Sequence, residues 1–151
     1  SLTPGESRST EHRALLAQSE ALISEVENAD LLLIALPIYN FSIPAALKSW
    51  IDLICRENVD GARASNLSGK TKNKQALIIM TSNYTMANGA DDFATPYLEF
   101  MMKFMGIEHL TFIDATGLAN DPEAIVSRAK NAVVEHCLGV AEVWDKQTAA
   151  E

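Results

Sequence analysis

Between Pro37 and Pro44 the chain places Tyr39, Asn40 and Phe41 side by side, directly after an unbroken apolar run. Aromatic side chains on a stiff loop can cover the face or edge of a flat ring. An Asn side chain offers both a donor and an acceptor to the edge of a heterocycle. The flanking prolines discourage helix and sheet between them, which leaves backbone amides free to bond a ligand. Tyr39 and Phe41 would equally suit packing, with Asn40 as a turn former, and the spacing alone leaves both readings open. Position favours the ligand reading, because loops at strand ends are where scaffolds of this kind carry function. No other constellation suggests catalysis. His12, His109 and His136 are scattered. Cys-x-x-Cys, His-Glu-x-x-His and Gly-x-x-x-x-Gly-Lys are absent, and Gly61 and Gly69 lie too far apart for a dinucleotide fingerprint. The acidic pairs Asp91-Asp92 and Glu25/Glu27 read as solvated rather than as metal ligands. No catalytic or metal-binding residue is assigned.

The elements that must position this loop follow from apolar periodicity. Ser9 to Ala29 has helical period, with Leu15, Leu22, Ile23 and Val26 on one stripe. Leu31 to Leu36 runs apolar without alternation between Asp30 and Pro37, the pattern of a strand buried on both faces. Pro44 suits the first turn of a new helix with Ser42 as its cap. That helix is predicted to reach Arg56, with Leu47, Trp50, Ile51 and Ile54 inward. Residues 57–74 read as a long polar loop, of the kind that is often functional or mobile. A second buried strand covers Ala76 to Met80, and residues 81–92 form another loop. A helix from Phe93 to Met105 stops at Gly106. A third strand covers His109 to Ala115. Asn120-Asp121-Pro122-Glu123 is a cap, a proline and an acid at the start of the last helix, which carries Ile125, Ala129, Val133, Cys137, Val140 and Trp144 on one side.

Buried strands alternating with helices mean a parallel sheet covered on both faces. Its ligand edge would be built by three loops, Pro37 to Pro44, Thr81 to Asp92 and Ala115 to Asn120, at the carboxyl ends of the strands. The 151 residues suit a single domain, 1–151, without repeat or linker. The opening helix lacks a strand before it, so the expectation is an N-terminally incomplete fold whose first visible strand has one unpaired side.

Twelve Lys and Arg against twenty Asp and Glu give a net charge of −8. That balance argues against non-specific nucleic-acid binding, which depends on neutralised phosphates, and against docking on an anionic membrane. The longest apolar run, Leu31 to Ile38, is too short to span a bilayer. Two cysteines, Cys55 and Cys137, suggest a reducing compartment, and the expected location is cytoplasmic.

The stretch Pro37-Ile38-Tyr39-Asn40-Phe41-Ser42-Ile43-Pro44, continued by Leu47-Lys48-Ser49-Trp50-Ile51-Asp52, resembles the signature of FMN-dependent NADH-azoreductases. These belong to a flavodoxin-like group that includes NAD(P)H:quinone oxidoreductases. The resemblance continues through Phe93 to Gly106 and Phe112 to Gly117, and fades over 57–74. It implies a doubly wound, three-layer α/β/α flavodoxin-like fold. It implies FMN as cofactor, NADH or NADPH as electron donor, and a quinone or azo compound as acceptor. It places Pro37, Ile38, Tyr39, Asn40 and Phe41 against the flavin ring, and Thr81, Ser82, Asn83 and Tyr84 in the second flavin-contacting segment. Where the family usually carries Gly-Gly in that segment, this chain has Asn83-Tyr84. The family's phosphate loop is Ser-rich and lies between its first strand and first helix. Ser7, Ser9 and Thr10 stand near a helix start here, and cap residues are their expected role. The resemblance also implies a homodimer, for which Tyr97 to Met105, with Phe100, Met101, Phe104 and Met105, could supply interface as readily as core. The competing readings are a cofactor-free remnant that binds a partner or dimerises, and a one-electron flavodoxin-like carrier.

Overall fold

The computed structural model describes residues 5–56, 67, 70–71 and 73–148, with residues 140–148 by backbone alone. After a 3-10 turn at Gly5–Ser7, the elements run α1 (Thr10–Asn28), β1 (Leu31–Pro37), α2 (Ala45–Ile54), β2 (Gln75–Thr81), α3 (Thr95–Phe104), β3 (His109–Ala115) and α4 (Pro122–Thr148). The three strands form one parallel sheet in the order β1-β2-β3. Leu31 pairs with Gln75 and Pro37 with Thr81, while Gln75 pairs with His109 and Thr81 with Ala115. All three strands therefore end level, and the loops that follow them share one edge.

The two faces of the sheet are packed separately. Leu36, Ala76, Ile78 and Met80 meet Ile23 and Val26 of α1, Ile51 and Ile54 of α2, and Leu98 and Met102 of α3. On the other face Leu77, Ile113 and Ala115 meet Ile125 and Ala129 of α4. This is the three-layer arrangement expected of alternating strands and helices. Burying each of the Leu, Ile, Val and Met side chains among these contributes about 1.5–3 kcal/mol, which makes the central strand β2 the anchor of the fold.

Several sequence expectations need correction. The apolar run of β1 is not buried on both faces: Leu33 is 65% exposed and Leu31 44%. The reason is geometric. β1 lies at the edge of the sheet, and α4, the one described helix on that face, packs on β3. Ser42 does not cap α2; Pro44 occupies the N-cap and makes no side-chain cap bond. The helix ends at Ile54 rather than Arg56. Ser9 does cap α1, its hydroxyl accepting from the His12 N–H at 3.2 Å. Cys137 is exposed rather than inward, and Val140 and Trp144 lie outside the described side chains. Of the loop 57–74 most lies outside the described residues, yet Leu67 and Thr71 are fully buried. The Thr71 hydroxyl donates to the Met105 carbonyl at 2.6 Å, which fastens that loop under the end of α3. Gly106, with φ of +94°, provides the left-handed stop after α3 that the sequence called for.

Candidate active site

The site begins where β1 ends. The Ile38 N–H donates to the Thr81 carbonyl at 2.7 Å, carrying the β1–β2 register one residue past the sheet. Tyr39 and Ser42 then close a tight turn by exchanging two backbone bonds, Tyr39 N–H to Ser42 carbonyl at 2.9 Å and Ser42 N–H to Tyr39 carbonyl at 3.0 Å. The two central residues are left-handed, Asn40 with φ of +47° and Phe41 with φ of +69°. That is the φ signature of a type I′ turn, a geometry that usually selects Asn-Gly. Asn tolerates it, but a bulky aromatic residue pays on the order of 1–2 kcal/mol for the crowding of its Cβ. The consequence is a projecting knob: Tyr39, Asn40 and Phe41 are all exposed, while Ile38 is buried beneath them.

A neighbouring loop grips this knob. The Phe93 N–H donates to the Phe41 carbonyl at 2.9 Å. Phe93 itself is placed by Asp92, which is only 5% exposed. The Asp92 carboxylate accepts from the Asn88 N–H at 2.8 Å, the Ala94 N–H at 2.8 Å and the Thr95 N–H at 3.0 Å, and from the Thr95 hydroxyl. Burial pushes this carboxyl up, but the bonds from Thr95, Asn88 and Ala94 outweigh it and hold Asp92 below the usual carboxylate range. Asp92 thus stands two residues ahead of Ala94, the N-cap of α3, and is bonded into the helix start rather than solvated. Its bonds to the second and third amides after it satisfy donors that a helix start leaves open.

The third loop locks onto the second. The Leu118 and Ala119 N–H groups donate to the Ser82 and Asn83 carbonyls at 2.9 and 3.1 Å. The Ser82 hydroxyl donates to the Thr85 carbonyl and accepts from the Gly117 N–H. The fully buried Thr116 hydroxyl donates to Asp114 at 2.6 Å and accepts from the Ala87 N–H at 2.9 Å. Met86 lies over Gly117, whose φ is +78° and where a Cβ would fall 2.6 Å from the Met86 sulfur. The Met86 side chain can move aside, so it is the left-handed backbone that favours glycine there.

The nine predicted site residues are accordingly brought to one edge, in different roles. Tyr39, Asn40, Phe41, Asn83 and Tyr84 present side chains outward, and Tyr84 is 83% exposed. Ile38 and Ser82 are buried, while Pro37 and Thr81 are half-buried at the paired strand ends. Ser82 uses its hydroxyl and carbonyl inside the protein. Beside the turn, an open cleft of about 590 Å³ is lined by Tyr39, Asn40, Pro44, Ala45, Lys48 and Tyr97 among others. That volume is within the range of small-molecule sites. Lys48 reaches both oxygens of Asp52 at 2.6 Å, and this contact raises its pKa. Burial pushes the Tyr97 hydroxyl up, against the pull of Lys48. No cluster of His, Cys, Asp or Glu among the described residues is arranged to hold a metal ion.

Sequence reasoning placed Asp92, Thr116 and Gly117 within the loops of the ligand edge but gave them no role, and it read Phe93 as the start of a helix that begins instead at Thr95. Asp92 had a signal, since an Asp three residues ahead of Thr95-Pro96 is a helix-start pattern. The Phe93 amide carries no signal in the sequence, because any residue but proline supplies one.

Residues 2–137 match the family described as flavodoxin-like fold. The chain belongs to the flavodoxin-like family. Among the curated relatives of this flavodoxin-like chain, the FMN-dependent NADH:quinone oxidoreductase 1 of Hahella chejuensis is 40% identical over 88% of this chain and 66% of the relative. The protein of the same name in Jannaschia sp. is 38% identical over 87% of this chain and 69% of the relative. The chain thus spans about two thirds of the length of the curated relatives it matches. A solved FMN-dependent NADH-azoreductase from Bacillus anthracis, in complex with FMN, superposes with a TM-score of 0.73 at 25% identity, covering 88% of this chain and 66% of that one.

Proposed function

We propose that the protein is an FMN-dependent NADH:quinone oxidoreductase that also accepts azo compounds. The observation that carries this reading is the left-handed Asn40-Phe41 turn at the carboxyl end of β1. A fold gains nothing from forcing an exposed phenylalanine into that backbone, so the turn points to a ligand-facing purpose. The residues present fit the ring end of FMN. Tyr39, Phe41 and Tyr84 offer exposed aromatic surface, and Asn40 and Asn83 offer donors and acceptors to a heterocycle edge.

When bound, FMN would supply the two-electron redox chemistry that links NADH to the acceptor. The chain's own residues bind and orient. The Asn40-Phe41 turn and the Asn83-Tyr84 segment seat the ring, and the cleft beside Tyr39 and Tyr97 receives a flat acceptor. The absence of an assigned catalytic acid or base is consistent with a reaction whose difficult step belongs to the cofactor. The partners of this reading are a small-molecule acceptor and a second copy of the chain. Phe100 supports the dimer: it is 62% exposed and its ring stacks on Phe104 with centroids 6.1 Å apart. No described helix is long and apolar enough to cross a membrane, and a cytoplasmic location accords with the exposed Cys137 thiol and the half-buried, unbridged Cys55.

The test is NADH oxidation followed at fixed FMN with a benzoquinone acceptor. FMN-dependent turnover that falls at least tenfold in Asn40→Ala supports the reading. Absent turnover leaves a partner-binding flavodoxin-like domain as the better account, and turnover indifferent to Asn40 overturns the placement of the flavin at this turn.

A further inference from the structure

Residues in left-handed backbone persist only where their surroundings hold them there. The reciprocal Tyr39–Ser42 bonds are common to any two-residue turn and would be equally satisfied by Asn-Gly. What is particular here is the third bond, from the Phe93 amide to the Phe41 carbonyl. Phe93 contributes little by packing, since its side chain is 61% exposed. Its amide, though, is fixed on both sides by one carboxylate. Asp92 takes the Asn88 amide from the preceding loop and the Ala94 and Thr95 amides from the helix that follows. The Asp92 amide in turn donates to the Gly89 carbonyl at 3.1 Å. A buried side chain with this many bonds leaves the amide next to it almost no freedom.

We infer that Asp92 is a positioning residue for the site. Through the Phe93 amide it holds the Asn40-Phe41 turn in its strained form, and so sets the surface offered to the flavin. The flavin part of this inference rests on the function proposed above; the link from Asp92 to the turn does not. Asp92 touches neither cofactor nor substrate in this account, and it acts only through the backbone.

The amide itself can be removed. Phe93 lies two residues ahead of Thr95, where α3 begins, so its N–H takes no part in the helix's own bonding. Phe93→Pro therefore deletes the N–H and keeps the helix, and Phe93→Ala keeps the N–H and deletes the ring. The expected result is FMN binding weakened about tenfold in F93P and less than threefold in F93A. Asp92→Asn is expected to weaken FMN binding about tenfold in the wild-type background. In the Phe41→Gly background, where glycine takes the left-handed form unaided, the same change is expected to cost less than threefold. Amide hydrogen exchange gives a readout that does not need flavin. In D92N the Phe93 and Ser42 amides should exchange at least tenfold faster, with the Ile78 amide of β2 unchanged. Equal losses of affinity in both backgrounds, or exchange accelerated alike at Phe93 and Ile78, would show a residue of general stability and overturn the inference. If the wild-type chain binds no FMN, the flavin reading falls, and the exchange pattern alone still decides whether Asp92 holds the turn.

Discussion

The Phe93 amide donates to the Phe41 carbonyl at 2.9 Å, and by this bond two loops that follow different strands become one surface. Phe41 stands at φ of +69°, where its Cβ is crowded. Relief and loss should therefore nearly cancel in Phe41→Gly, whose stability is expected within about 1 kcal/mol of wild type. Phe41→Val, β-branched and unable to take this backbone comfortably, is expected to destabilise by about 2 kcal/mol or more. Urea denaturation followed by tryptophan fluorescence checks both, and a Val variant as stable as the Gly variant would argue against strain at this position.

Asp92 gives the fold a defined acid sensitivity. Its native pKa is depressed below the ordinary Asp value of about 3.9. The stability it contributes is thus fully present above that value and is lost as pH falls through the lower native one. Between pH 5 and pH 3 the urea midpoint of wild type should drop more steeply than that of Asp92→Asn, which has no carboxyl to protonate. Parallel curves for the two proteins would contradict the assignment.

Gly117 is constrained chiefly by its φ of +78°, and the movable Met86 sulfur, 2.6 Å from where a Cβ would stand, adds a smaller demand. Gly117→Ala is expected to cost about 1–3 kcal/mol. Adding Met86→Ala should return only part of that, since the clash goes and the backbone strain stays. Thermal unfolding of the single and double variants measures the two contributions.

The core makes a separate claim. Ile78 is fully buried at the centre of β2. Ile78→Ala is expected to cost about 2–5 kcal/mol, the range for a truncated buried aliphatic residue. Leu33, on the exposed face of β1, should cost far less when changed to alanine. Denaturant midpoints of the two variants compare these positions directly.

Much of this architecture was legible from residue order. The runs 31–36, 76–80 and 109–115 read as strands from their length and flanking residues, and Pro122 and Gly106 mark helix ends by their own chemistry. What was not legible depends on partners distant in sequence. An apolar run such as Leu31 to Leu36 shows that a strand wants cover, but not whether anything lies over Leu33. Asp91-Asp92 looks like an ordinary solvated pair until Asn88 and Thr95 turn their amides toward one member of it. The exposed turn was found from Tyr39, Asn40 and Phe41, but its left-handed backbone was not, because an aromatic residue is a poor guide to that conformation. Family resemblance pointed to the segments proposed to face the flavin, whereas the bonds that interlock them appear only in three dimensions.

The edge built on Asn40-Phe41 is proposed to bind FMN. Titration of FMN into the purified chain, followed by quenching of flavin fluorescence, tests it most directly. Saturable quenching at one FMN per chain is expected, with the dissociation constant raised about tenfold in Asn40→Ala, the loss of roughly one well-formed hydrogen bond. Quenching that never saturates, or an affinity that Asn40→Ala leaves unchanged, would contradict it.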